Sequence, residues 1–109
     1  MSQLDLDITL DGPTRVVIAV MGDVDLATAP ELVECLRAHT DHDVIVDLSG
    51  VGFLDSSGIN ALVQGHNALR DNGHTLRTTG EQTHVLKLLE LTGVTEIVHA
   101  DGGEPSPLP

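Results

Sequence analysis

Two runs of uninterrupted aliphatic residues, VVIAVM at 16–21 and VIV at 44–46, stand apart by a stretch of mixed polarity long enough to hold a helix. Runs without alternation mark strands covered on both faces. Two such strands joined through a helix form a right-handed parallel unit. Both are therefore read as central strands of one sheet. Aromatic residues are reduced to Phe53, so the core has to be built from Val, Leu, Ile and Ala. With 40% hydrophobic residues in 109 positions, one domain can bury a core of that kind.

The flanking sequence fills in the rest. Leu4, Leu6, Ile8 and Leu10 alternate with Asp5, Asp7 and Thr9, and Asp11-Gly12-Pro13 follows as a turn, so an edge hairpin opens the chain. Thr28 with Glu31 three residues later has the form of a capping box, Pro30 suits a first helical turn, and Leu32, Val33 and Leu36 supply an apolar stripe. A second helix carries Ile59, Leu62, Val63 and Leu69 and stops at Asn72-Gly73; a third carries Val85, Leu88 and Leu89 and stops at Gly93. Short strands are expected at 75–78 and 96–99. The expected order is ββαβαβαβ, an α/β single domain with a mixed sheet and helices packed on it. That domain is expected to span 1–100, with DGGEPSPLP at 101–109 a disordered tail rich in Gly and Pro.

Charge narrows the partners. Five Lys and Arg against 17 Asp and Glu give a net charge of −12, which repels nucleic-acid phosphates and anionic membrane surfaces. No nucleic-acid partner and no direct membrane insertion are expected, since no apolar run approaches about 18 residues. A single cysteine, Cys35, on an amphipathic helix reads as a small core residue, and a reducing, cytoplasmic setting is expected. His39, Asp41, His42 and Asp43 lie between a helix end and a strand, where a solvated connection outweighs a metal site.

The segment FLDSSG at 53–58 follows directly on the second central strand and opens a helix. It therefore lies at the carboxyl edge of the sheet, where open α/β folds place their ligands. Asp55, Ser56 or Ser57 can cap that helix; a helix N-terminus also receives anions. Spacing leaves both roles open. A nucleophile elbow, G-x-S-x-G, is broken because Asp55 stands two places before Ser57, and the lysine of a nucleotide-binding loop is missing.

Asp47-Leu48-Ser49, Val51 and Phe53-Leu54-Asp55-Ser56-Ser57-Gly58 resemble the signature of STAS-domain proteins, specifically the bacterial anti-sigma factor antagonists. Gly22-Asp23-Val24-Asp25 followed by Ala29-Pro30-Glu31-Leu32 is similar to a second segment of that family, and Leu88-Leu89-Glu90-Leu91-Thr92-Gly93 to its last helix. The resemblance covers nearly the whole chain outside the tail. It implies a switch protein with no catalytic activity of its own; no catalytic residue, cofactor or metal is expected. The unphosphorylated form would bind an anti-sigma factor that is also a serine kinase and so free a sigma factor. Phosphorylation of the second hydroxyl residue of the turn, Ser57 here, would end binding, and a serine phosphatase would reverse it. Ser56 is chemically able to take phosphate too, and only the family register selects Ser57.

The partner-binding face expected on that basis contains Asp25, Asp55, Ser56, Ser57, Gly58 and Asn60; Asp25 either orients the Ser57 hydroxyl, as the family segment favours, or satisfies a loop N–H, and Gly58 either allows close approach of a kinase or serves the geometry of the helix start. Thr79-Gly80-Glu81-Gln82 departs from the Asn-Pro-like turn of many relatives. The competing reading is an accessory STAS subunit of a membrane transport complex, in which the serine is not phosphorylated.

Overall fold

In the computed structural model residues 4–98 are described, and they form a mixed four-stranded sheet in the order β1-β2-β3-β4. β1 (Asp5–Leu10) and β2 (Arg15–Met21) pair antiparallel, with Leu10 opposite Val16 across the Asp11–Gly12 turn. β3 (Asp43–Gly50) and β4 (Leu76–Thr79) then add in parallel, Val16 beside Val44 and Val44 beside Leu76. The helices α1 (Ala29–Arg37), α2 (Ser56–Asp71) and α3 (Thr83–Leu91) follow β2, β3 and β4. The α/β class and the single-domain organisation follow from this order. The expected tail at 101–109 lies outside the described residues.

The central strands differ from expectation in one respect. Val16, Ile18 and Val20 on β2 and Val44, Val46 and Leu48 on β3 are fully buried, but their alternating neighbours Val17, Ala19, Ile45 and Asp47 are only partly covered. The helices supply one face of core through Leu32 and Leu36, Leu62 and Leu69, and Val85 and Leu89. An apolar run thus marks a strand whose second face is shielded by its neighbours in the sheet rather than by a second helix layer. On β1 the inward-facing Ile8 and Leu10 project past the helices and stay exposed.

The last expected strand is a correction. Thr95–Val98 is a short helix, α4, so the order is ββαβαβαα. Val94 and Val98 are buried four residues apart with Ile97 packed beside them, which is helical spacing. His99, at the end of that expected strand, lies outside the described residues.

Helix ends follow the sequence closely. After α2, His74 N–H donates to Leu69 O at 2.8 Å and Gly73 N–H to Arg70 O at 3.0 Å, with Gly73 at φ +80°. After α3, Val94 N–H donates to Leu89 O and Gly93 N–H to Glu90 O, with Gly93 also at φ +80°. Both are Schellman terminations, which need a left-handed residue that glycine adopts without a Cβ penalty. Among the described residues no helix is long and apolar enough to cross a membrane.

Candidate functional site

β2 and β3 leave the sheet together and deliver two loops to one place. The register shifts between Ala19 and Met21, which pair with Asp47 and Gly50, so β3 carries one extra residue and bends as it reaches the carboxyl edge. Beyond the bend, Val24 and Leu54 re-form a parallel bridge, with Val24 N–H donating to Phe53 O at 3.0 Å and Asp55 N–H to Val24 O at 3.2 Å. Asp25 and Asp55 come next on the two chains. Adjacent strands run about 4.8 Å apart, so the backbones of Asp25 and Asp55 lie side by side at the carboxyl edge of the sheet.

Asp55 is the N-cap of that helix. Its backbone is extended, and Oδ1 accepts from Ser57 N–H at 2.8 Å and Gly58 N–H at 3.3 Å. Helix N-termini otherwise expose such N–H groups, so the carboxylate already fills the place where an external anion would bind. Ser56 occupies the first helical position and is exposed; Ser57, the second, is partly buried. Gly58 faces inward. A Cβ there would lie 2.7 Å from Leu54 Cγ and 3.0 Å from Val24 Cγ1, so glycine is needed where the helix crosses the bridged strands. Asn60 is exposed one turn along the same helix.

Asp25 does local work. Its Oδ1 accepts from Ala27 N–H at 3.0 Å and Thr28 N–H at 3.1 Å, and Ala29 N–H donates to its backbone oxygen at 2.8 Å. Among the described residues its carboxylate makes no hydrogen bond to the Ser57 hydroxyl. This turn also replaces the capping box expected from Thr28 and Glu31. Thr28 has helical backbone angles and no side-chain cap bond; its hydroxyl donates to Asp23 O at 2.7 Å and accepts from Asp25 N–H at 2.9 Å. A capping box needs an extended N-cap residue, and the tight Asp25 turn denies Thr28 that conformation.

The loop after β4 braces the site from the other side. Gln82 Nε2 donates to Ser49 O at 3.2 Å and His84 Nε2 to Gly52 O at 2.5 Å, while Thr78 Oγ1 donates to Glu81 beneath them. The Thr79–Gln82 departure from the family turn therefore reaches the chain just ahead of Asp55. Sequence reasoning gave His84 no partner because its acceptor is a backbone carbonyl 32 residues away. It also missed the exposure of Leu26, 78%, and Phe53, 49%, beside the serine turn. The one usable signal was Leu26 among polar loop residues, off every helical stripe.

Elsewhere the titratable clusters have structural partners. Asp43 turns from the histidine-rich connection to accept from His74 Nδ1–H at 3.0 Å and Thr75 N–H at 3.0 Å. Burial works against its charged form, yet the Thr75 and His74 hydrogen bonds and the His74 charge prevail and hold its carboxyl below the usual range. His39 Nδ1–H donates to Cys35 O at 2.8 Å. Cys35, expected as a core residue, is half-buried against the edge of the core, and that burial pushes its thiol up. Among the described residues no three His, Cys, Asp or Glu side chains come together in a way that could hold a metal ion.

Comparison with known proteins agrees with this architecture. A family model described as "Mlab, STAS domain" matches residues 9–99. An anti-sigma-B factor antagonist of Staphylococcus epidermidis is 34% identical over 89 residues, covering 79% of this chain and 82% of the relative. Among solved structures, an anti-sigma factor antagonist from Mycobacterium paratuberculosis superimposes with a TM-score of 0.68 at 26% identity, over 86% of this chain and 81% of the other. The anti-sigma factor antagonist SpoIIAA in its unphosphorylated form superimposes with a TM-score of 0.75 at 15% identity, over 85% and 84%. With a mixed sheet, a capped serine turn at its carboxyl edge and these matches over most of its length, the chain belongs to the STAS-domain family of anti-sigma factor antagonists.

Proposed function

We propose that this chain is a phosphorylation-controlled antagonist: unphosphorylated, it binds an anti-sigma factor with serine kinase activity and frees a sigma factor; phosphorylated on Ser57, it lets go. A serine phosphatase resets it. The observation that carries the reading is the placement of Ser57, partly buried at the second position of α2, with the neighbouring N–H groups already held by Asp55. A phosphate there meets a carboxylate instead of free helix donors. Phosphoserine brings about −1.5 to −2 charges. Two unit charges about 5 Å apart repel by roughly 3 kcal/mol at an effective dielectric near 20, before solvent screening reduces it. The free protein carries this repulsion too, so it weakens docking only as far as a partner seated over the turn strips solvent from the pair and strengthens it; about 1.4 kcal/mol gained in that way lowers an affinity tenfold. No refolding is required.

The test uses Ser57→Ala and Ser57→Asp proteins as baits in native lysate, with phosphosite mapping of the wild type incubated with any ATPase recovered. Recovery of a serine-kinase anti-sigma factor by the alanine bait, its loss with the aspartate bait, and phosphate on Ser57 but not Ser56 are the expected results. Equal recovery of a transport ATPase or permease by both baits would instead establish the accessory-subunit reading and reduce the serine turn to a helix start.

A further inference from the structure

The outer seam between α1 and α2 opens beside Ser57 into a groove of about 420 Å³. Leu26, Ala29, Pro30 and Val33 give this end an apolar floor and wall, and Ser57 and Asn60 line the opposite side. Gln64 is shared with a second hollow of about 340 Å³ that continues past Arg37 to Asp71. Along α2 the lining residues recur at Ser57, Asn60, Gln64, Asn67 and Asp71, one stripe running the length of the helix. At 1.5 Å per residue that stripe is about 21 Å long, the length of a helix of some 14 residues. A seam between two helices is also the shape into which a third helix packs.

Charge selects the kind of helix. Glu34 stands on the wall of the apolar end, the Asp55 carboxylate caps the helix start that carries Ser57, and the chain as a whole carries a net charge of −12. An acidic helix would be repelled at the end where the apolar surface is offered. Leu26, 78% exposed in this structure, is the side chain best placed to be covered.

We infer that the α1–α2 groove is the docking site for an amphipathic helix of the kinase partner, one that sets an apolar side chain against Leu26 and Val33 and a Lys or Arg against Glu34. This rests on the proposed function and adds a second element to the switch. Ser57 forms one wall of the apolar end, so phosphate on it places a strongly hydrated dianion where the partner's apolar side chain has to seat. Burying an unpaired charge there is costly, and the groove closes to its ligand at the same moment that Asp55 repels the phosphate.

The experiment measures affinity by calorimetry between the purified anti-sigma serine kinase of the same organism and four proteins: wild type, Leu26→Ala, Glu34→Arg and Leu91→Ala. Leu91 is also 78% exposed but sits at the end of α3, outside the groove, and serves as the control. Leu26 and Glu34 are surface residues, so the variants fold; matching melting curves verify this. A loss of about tenfold or more for Leu26→Ala and for Glu34→Arg, with Leu91→Ala within twofold of wild type, supports the inference, as does hydrogen-exchange protection of α1 and α2 amides along the groove. Unchanged affinity of both groove variants, with binding still abolished by Ser57→Asp, overturns the groove and leaves the Ser57 switch standing. No binding of the wild type overturns the proposed function, and the groove with it.

Discussion

The carboxylate of Asp55 and the backbone N–H of Ser57 are joined by a 2.8 Å hydrogen bond, so the residue that starts α2 also fixes the serine proposed to switch it. Removing that cap leaves two helix N–H groups without their acceptor. Asp55→Ala is expected to lower stability by about 1 kcal/mol, within the roughly 0.5–2 kcal/mol spread of N-cap truncations, and Asp55→Asn by less because its amide oxygen can still accept. For a domain of this size about 1 kcal/mol shifts the melting temperature by roughly 4–8 °C. Urea denaturation of the three proteins checks the order; equal stability of wild type and alanine variant would remove the capping role.

Ser57→Asp introduces charge where a helix dipole favours it by about 0.3–1 kcal/mol and the Asp55 carboxylate opposes it. Solvent screening of this half-exposed pair cuts the repulsion, and the dipole offsets part of what is left, so the net cost is about 1 kcal/mol. The aspartate protein is expected to unfold cooperatively within about 1 kcal/mol of wild type, with the same far-ultraviolet circular dichroism. A loss of several kcal/mol would mean that a charge on Ser57 acts by unfolding α2, and release by local blocking would have to be abandoned.

The ends of the helices were legible in the sequence because their determinants are local. Asn72-Gly73 and Gly93 terminate α2 and α3 through bonds that span five residues or fewer. The serine turn was legible for the same reason, as a strand, an acidic cap and a helix in succession. What escaped was set by distant contacts or by competition between local choices. Of the two roles open to Asp25, the carboxylate takes the local one and holds the turn before α1, while Thr28, expected in a capping box, is held by Asp23 and Asp25. The packing demand on Gly58 was not legible because the bridge of Val24 and Leu54 beneath it is a pairing between segments 30 residues apart. The segment at 95–98 is too short for its β-branched residues to outweigh the burial of Val94 and Val98 on one helical face.

At Gly65, α2 passes against Leu36 of α1. A Cβ on it would stand 2.4 Å from Leu36 Cδ1 and 3.2 Å from Leu36 Cβ and Cγ, and Leu36 is fully buried. Alanine in a helix gains about 1 kcal/mol of propensity over glycine, but overpacking of this kind costs about 1–3 kcal/mol. Gly65→Ala is expected to be net destabilising. A double-mutant cycle with Leu36→Ala identifies the cause: the double variant should lose less than the sum of the single losses, because the truncated side chain makes room for the new methyl. Additive losses would point away from Leu36.

Cys35 lies against the core with its thiol pushed up by burial, so little thiolate is available in the folded protein. Alkylation at pH 8 is expected to be slow under native conditions and to accelerate across the urea transition, in step with unfolding followed by circular dichroism. Labelling at the rate of a free thiol in the native protein would place the sulfur at the surface.

The Asp43–His74 pair gives the fold a specific acid sensitivity. Asp43 has a depressed carboxyl in the folded protein, against about 3.9 for an unfolded aspartate. A depressed value means the ionised form is favoured by folding, so the contribution is present above about pH 3.9 and disappears as pH falls through the folded value. The side chains are 26% and 43% exposed for His74 and Asp43, which screens the pair and keeps its worth to about 1 kcal/mol or less. Asp43→Asn retains an oxygen for Thr75 N–H and His74 Nδ1–H but has no carboxyl to titrate. Unfolding free energies measured from pH 7 to pH 2 are therefore expected to converge: the variant is less stable at neutral pH and approaches wild type in acid. Parallel curves over the whole range would show that Asp43 contributes its hydrogen bonds alone and no charge.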